Sequence, residues 1–398
     1  MKMRPRQGKS TQAIHAGAIQ PRIKGAVTTP IFQSSTYEYR GEEYHDIGYM
    51  RLSNSPNHVV LADRIAVLEG TESALATASG MASISAILLT VLSAGDHLLV
   101  QDCLYGGTNT LLHKHFARLN ISHTPIDPQD PGSWDALTLP NTRAIYVETL
   151  TNPLVQVADL EAVSAFARER GLVSIIDNTF ASPVNFRPAE IGFDVVLESA
   201  TKYMNGHTDI IAGVVAGSKE LVWEVKLTLD HLGGVLDTHT CYLLERGLKT
   251  LPVRVREQNA SAMRLASFLE TNPKVARVNY PGLESHLQHQ RASRLFEGFG
   301  GMLSFELEGG VQEAASFLSR LTIPTHAASL GGVESLAVRP AAATHGGVSP
   351  EERARSGISD ALIRFSVGLE DVEDLVEDLE LGLHRRVEGC AGGAVAYP

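Results

Sequence analysis

The chain has 398 residues, 43% hydrophobic and 20% charged, enough to bury a large core in two or three structural units. Its net charge of −11 argues against a nucleic-acid partner, which needs a basic stripe to meet the phosphate backbone. The three cysteines, Cys103, Cys241 and Cys390, stand far apart, so neither a disulfide framework nor a cysteine-based zinc site is expected, and a reducing cytoplasm suits them.

The first residues, 1–11, are basic and polar without an apolar segment, so no signal peptide is read there. Residues 1–55 are rich in Gly, Thr, Pro and Tyr and are expected to form an extended arm outside the core. From 56 to about 75, Val60, Leu61, Ile65 and Leu68 recur at helical spacing, and Gly70 stops the run. The longest apolar run, near 84–92, is interrupted by Ser85 and Thr90 and is too short to span a bilayer. Strand-like runs follow at 97–101, 143–148, 172–177, 193–198 and 210–216, with helical patterns between them at 107–119 and 160–170. That alternation predicts an α/β fold with a mostly parallel central sheet, in which ligands gather at the carboxyl ends of the strands. A long helical pattern at 240–271 then leads into strands at 275–279, 302–307 and 362–367 and helices at 311–321 and 371–384, a smaller α+β domain. The predicted division is therefore an arm (1–55), a large domain (56–250), a C-terminal domain (251–386) and a Gly- and Ala-rich tail (387–398) expected to be disordered.

The run Glu198-Ser199-Ala200-Thr201-Lys202 carries the most chemistry. A lysine just past a strand can condense with an aldehyde while Ser199 and Thr201 hold a phosphate, as pyridoxal phosphate requires. A surface lysine beside two capping hydroxyls has the same spacing. Asp177, ending its own apolar run, can pair with a protonated pyridine nitrogen or cap a turn. Ser79-Gly80-Met81 opens a helix, either as a plain N-cap or as amide groups facing an anion. Tyr105 follows the 97–101 strand, where it can stack on an aromatic ring and move protons, or simply occupy a turn. Arg364, alternating with Ile363 and Phe365, can grip a carboxylate with two prongs or be solvated on its strand. The histidines make no metal site, since His113 and His115 diverge on a helix and His286 and His289 lack a third ligand. The glycines at 298, 300 and 301 lack the strand-turn-helix setting of a dinucleotide site.

Together with Thr11-Gln12-Ala13-Ile14-His15-Ala16-Gly17, Tyr49-Met50-Arg51, Arg246-Gly247-Leu248-Lys249-Thr250 and Ser329-Leu330-Gly331-Gly332, these blocks resemble the Cys/Met-metabolism group of pyridoxal-phosphate enzymes. The resemblance runs from about Thr11 to Leu383 and covers cystathionine γ-lyase, γ-synthase and β-lyase and methionine γ-lyase. It implies a fold-type-I, aminotransferase-like architecture, a cytoplasmic homotetramer built from tight dimers, pyridoxal 5'-phosphate as cofactor and a small sulfur amino acid as substrate, with neither membrane nor nucleic acid as partner. It assigns Lys202 as the Schiff-base lysine, Asp177 as partner of the pyridine nitrogen, and Tyr105 as the stacking residue and proton donor. Gly80, Met81, Thr179, Ser199 and Thr201 would hold the cofactor. Tyr49 and Arg51 would reach the neighbouring subunit's phosphate, and Asn152, Ser329 and Arg364 would orient the substrate. The implied activity is carbon–sulfur lysis by α,γ- or α,β-elimination, giving an oxo acid, ammonia and a thiol. The alternatives are γ-replacement on an acylated homoserine and a catalytically silent relative that keeps the fold. Cystathionine-handling members carry an arginine and a glutamate where this chain has Thr110 and Ala328. Methionine γ-lyases carry a cysteine where it has Gly107, and a Lys-Asp pair where it has Leu229-Asp230.

Overall fold

In the computed structural model, residues 7–39, 41–343, 351, 353 and 357–384 are described; the expected tail 387–398 lies outside them. Seven strands form the large sheet: β1 (Ser73–Thr77), β2 (His97–Gln101), β3 (Ser122–Ile126), β4 (Thr142–Glu148), β5 (Val173–Asp177), β6 (Val195–Glu198) and β7 (Gly213–Gly217). Their order is β1-β7-β6-β5-β4-β2-β3. β7 runs antiparallel to both neighbours and the other pairs are parallel, so the expected mostly parallel α/β sheet is present. Ile145 and Val147 of β4 face one core, with Leu160 and Val163 of the Leu160–Arg170 helix; Ala144 and Tyr146 face the other, with Ile87 and Leu98. Burial on both faces explains why β4, β5 and β6 read as unbroken apolar runs rather than alternating ones.

The helices begin and stop where local chemistry dictates. Ser55 caps the Pro56–Glu69 helix by accepting from the His58 amide at 3.4 Å, a proline stands in its first turn, and Gly70 closes it at φ 72°. The single pattern predicted over 240–271 is two helices, Thr238–Leu248 and Leu251–Glu270. Pro252 has no amide hydrogen with which to continue the ladder, so the chain restarts there. The 107–119 segment is helical but irregular, passing from Gly106–Thr110 through a π-helical turn over Leu111–Phe116 into a tight last turn at Ala117–Leu119. Among the described residues the arm contains one short α-helix, Lys9–His15, and three single 3-10 turns at Ile23–Gly25, Tyr44–Asp46 and Met50–Leu52.

A second sheet, antiparallel throughout, has the order β10-β11-β9-β8, from β8 (Val275–Asn279), β9 (Met302–Leu307), β10 (Leu336–Val338) and β11 (Leu362–Ser366). Phe305, Ile363 and Phe365 pack against Leu265 and Leu269 of the Leu251–Glu270 helix, Phe317 of Gly310–Arg320, and Leu375 and Leu379 of Val372–His384. This core turns the alternate residue of β11, Arg364, the other way, toward the carboxyl edge of the large sheet. No helix among the described residues is long and apolar enough to cross a membrane.

Candidate active site

The parallel strands β4, β5 and β6 end side by side in Glu148, Asp177 and Glu198. β1 leads into Ser79, β2 leads into Tyr105, and β6 runs on into Ser199, Thr201 and Lys202. Between these ends and the segment before β10 lies a cavity of about 420 Å³. Gly80, Met81, Tyr105, Asn152, Asp177, Thr179, Ser199, Thr201, Lys202, Ser329 and Arg364 all line it. Tyr49 and Arg51 do not. Arg51 instead donates to the Asp230 carbonyl at 2.6 Å, with its guanidinium 5.6 Å from the Tyr49 ring centre.

Lys202 sits in a tight loop in which its carbonyl accepts from the Gly206 amide at 2.8 Å and its own amide donates to the Ser199 carbonyl at 3.0 Å. Behind the loop, buried Arg254 donates to the carbonyls of Tyr203, Met204 and Gly247 at 2.8, 3.2 and 2.9 Å. The Lys202 amine donates to Ser329 Oγ at 2.7 Å. Burial, and then the charge of Arg364, bring its pKa down to about 8, so a substantial minority of the amines is neutral near physiological pH. Ser329 is held at φ 140°, a conformation L-residues rarely adopt, and the next-but-one residue, Gly331, has φ 74°. A Cβ on Gly331 would stand 2.7 Å from the Tyr203 amide nitrogen, so glycine is what lets this segment close on the lysine loop.

Arg364 is 3% exposed. It donates from one terminal nitrogen to Asn152 Oδ1 at 3.2 Å and from the other to the Ser329 carbonyl at 2.9 Å. Its Nε is buried without a protein acceptor. A fork so oriented, with a donor to spare, suits a carboxylate.

The cavity fits pyridoxal phosphate on three observations. First, Lys202 presents to it an amine that deprotonates far more readily than an ordinary lysine. Second, the half-buried Asp177 carboxyl accepts the Thr179 amide at 3.0 Å, and no cationic side chain among the described residues pairs with it, as a carboxylate reserved for a protonated ring nitrogen would require. Third, the Gly80–Val91 helix, capped by Ser79 accepting from Ala82 at 3.0 Å, aims its positive end at the cavity. A Cβ on Gly80 would stand 2.9 Å from Ser199 Cβ, so this glycine lets the helix start and the serine form one small cup. Ser199 is fixed by its own amide, which donates to Thr179 Oγ1 at 2.8 Å, and Thr201 Oγ1 is tied to the Ala212 backbone at 3.1 Å.

Several lining residues escape sequence reasoning. Leu150, Phe180 and Ile211 supply apolar wall, and nothing in their local patterns marks them. Glu148 also lines the cavity, and its signal was legible: it is an acid ending an apolar run, as Asp177 is.

Residues 10–384 match the family model described as Cys/Met metabolism PLP-dependent enzyme. An L-methionine gamma-lyase of Fusobacterium nucleatum subsp. polymorphum is 41% identical over 390 residues, 95% of this chain and 98% of that one. A cystathionine beta-lyase of Lactococcus lactis subsp. cremoris is 42% identical over 383 residues, 94% of this chain and 99% of that one. The crystal structure of a cystathionine gamma-lyase from Lactobacillus plantarum, complexed with L-serine, superposes with a TM-score of 0.90 at 36% identity, covering 94% of this chain and 98% of that one.

Proposed function

The chain belongs to the Cys/Met-metabolism family of pyridoxal-phosphate enzymes, and from that membership we propose how its own residues carry the reaction. It is a pyridoxal-phosphate-dependent carbon–sulfur lyase of sulfur amino acid metabolism. When bound, the cofactor supplies an electron sink that acidifies the amino acid's α-hydrogen. Arg364, its fork fixed by Asn152 and Ser329, takes the α-carboxylate with the free Nε edge. The Lys202 amine receives the α-proton and, in γ-elimination, moves a β-proton as well; Ser329 Oγ keeps it in reach. The Tyr105 ring would stack on the bound cofactor, and its hydroxyl protonates the departing sulfur. Asp177 would meet the cofactor's ring nitrogen with its negative charge. Gly80, Met81, Ser199 and Thr201, with Thr179 behind them, would hold its phosphate.

The observation that carries this reading is the convergence of Lys202, Ser329 and Arg364 within hydrogen-bond reach at one end of the cavity. The test is product analysis. Purified enzyme given methionine, cystathionine, cysteine or homocysteine is expected to release oxo acid, ammonia and a thiol, and Lys202→Ala to release none. A thioether formed from acylated homoserine plus cysteine, with no oxo acid from the sulfur amino acids, would overturn elimination in favour of replacement.

The same proposal includes a homotetramer of tight dimers, and a division into arm (1–55), cofactor-binding domain (56–250) and C-terminal domain (251–386). In its support, Tyr49 and Arg51 stand off this chain's own cavity, and the arm leaves Val27, Ile31, Tyr39, Tyr44 and Tyr49 exposed, apolar surface that a neighbouring subunit would cover. Light scattering should give four times the chain mass; a monomer would contradict it.

A further inference from the structure

Asp177 has a role in the reaction above, and its neighbour does not. Glu148 ends β4 as Asp177 ends β5, and the two are register partners across the parallel pair. The Glu148 side chain lines the same cavity and is 5% exposed. One carboxyl oxygen accepts the Tyr105 amide hydrogen at 2.6 Å, and the Glu148 amide donates to Gln101 Oε1 at 3.0 Å. The titratable groups around it are Asp177 from β5, Tyr146 from β4, and Cys103 and Tyr105 from the segment after β2. The buried Tyr146 hydroxyl neighbours Asp177 and Thr108. None of these groups is cationic.

Two carboxylates in such a corner cannot both stay charged. Burial first, and the charge of Asp177 second, push the Glu148 carboxyl well above its ordinary range, against the smaller opposing pull of the Tyr105 amide. Asp177 is pushed up by burial too, but the hydrogen bond from the Thr179 amide works against that rise. Glu148 is the more deeply buried of the two, Asp177 being only half-buried at its strand end, so the proton belongs on Glu148.

We propose that Glu148 is a positioning residue of the lyase, a neutral carboxylic acid that anchors Tyr105 by its backbone and leaves the negative charge to Asp177. This rests on the roles given above to Lys202, Tyr105 and Asp177. Without the acceptor, the Tyr105 amide at the start of the Gly106–Thr110 helix loses its partner, and the phenol lining the cavity loses its backbone anchor. An ionised Glu148 would compete with Asp177 for the cationic ring nitrogen.

The test uses the holoenzyme. Glu148→Ala removes the acceptor, whereas Glu148→Gln keeps a neutral one of the same shape. Glu148→Ala is expected to lower kcat roughly ten- to a hundred-fold with a smaller change in KM, and to weaken the induced circular dichroism of the bound cofactor. Glu148→Gln should recover most of both. The infrared difference between wild type and Glu148→Gln should contain the carbonyl band of a protonated carboxyl at neutral pH, a readout that holds even where Glu148→Ala does not fold. Absence of that band, a Glu148→Gln enzyme as impaired as Glu148→Ala, or wild-type kcat and dichroism in Glu148→Ala would each overturn the proposal. Failure of the underlying reading looks different: wild-type protein would bind no pyridoxal phosphate and release no oxo acid.

Discussion

The protonation of Lys202 offers a quantitative test. Burial, with Arg364 as the second cause, takes its pKa from 10.5 to about 8. At about 1.4 kcal/mol per pKa unit, the site disfavours the ammonium by about 3 kcal/mol. Near pH 7.5, roughly a quarter of the amines are then neutral, against roughly one in a thousand for an unperturbed lysine. Only a neutral amine attacks an aldehyde. Enzyme stripped of cofactor and mixed with pyridoxal phosphate should therefore turn yellow at a rate that climbs with pH and is half-maximal near 8. Arg364→Gln removes the neighbouring cation, so its half-point should move up while staying below 10.5, because burial is the larger cause. A wild-type half-point close to 10.5, or one that Arg364→Gln leaves unmoved, would refute the reasoning.

Other substitutions separate binding from support. Arg364→Gln should also raise KM for the sulfur amino acid roughly a hundred-fold with a smaller effect on kcat, since a charge-assisted fork is lost from a buried contact; an unchanged KM in steady-state kinetics would remove Arg364 from substrate binding. Arg254→Ala leaves three buried carbonyls behind the Lys202 loop without their donor and should lower the unfolding free energy by about 3 kcal/mol in denaturant titrations. Arg254→Lys, with fewer donors, should recover only part of that loss, and full stability of the alanine variant would show that the loop needs no such brace.

Much of this molecule is legible in its sequence, and the gaps have physical reasons. β2, β4, β5 and β6 were readable because strands covered on both faces need continuous apolar runs. β1 was not: Ser73-Ala74-Leu75-Ala76-Thr77 is built largely of helix formers, and it is held as a strand by antiparallel pairing with β7. β3 is a polar edge strand carrying Pro125, which pairs with β2 alone, and β10 is only three residues long. β7 begins at Gly213 rather than at 210, because the preceding residues turn back so that Ala212 can tie down Thr201. In the site, Lys202, Asp177 and Gly80 announced themselves by standing at element ends with chemistry to offer. Ser329 was named only through the family resemblance: its role comes from a strained backbone and from contacts 127 and 35 residues away in sequence, to Lys202 and Arg364, which no local pattern encodes.

The most direct measurement is reduction of the holoenzyme with borohydride, followed by peptide mapping. A pyridoxyl group fixed on Lys202, and on no residue of the Lys202→Ala protein, is the predicted result. A label on a different lysine, or wild-type enzyme that takes up none, would contradict it.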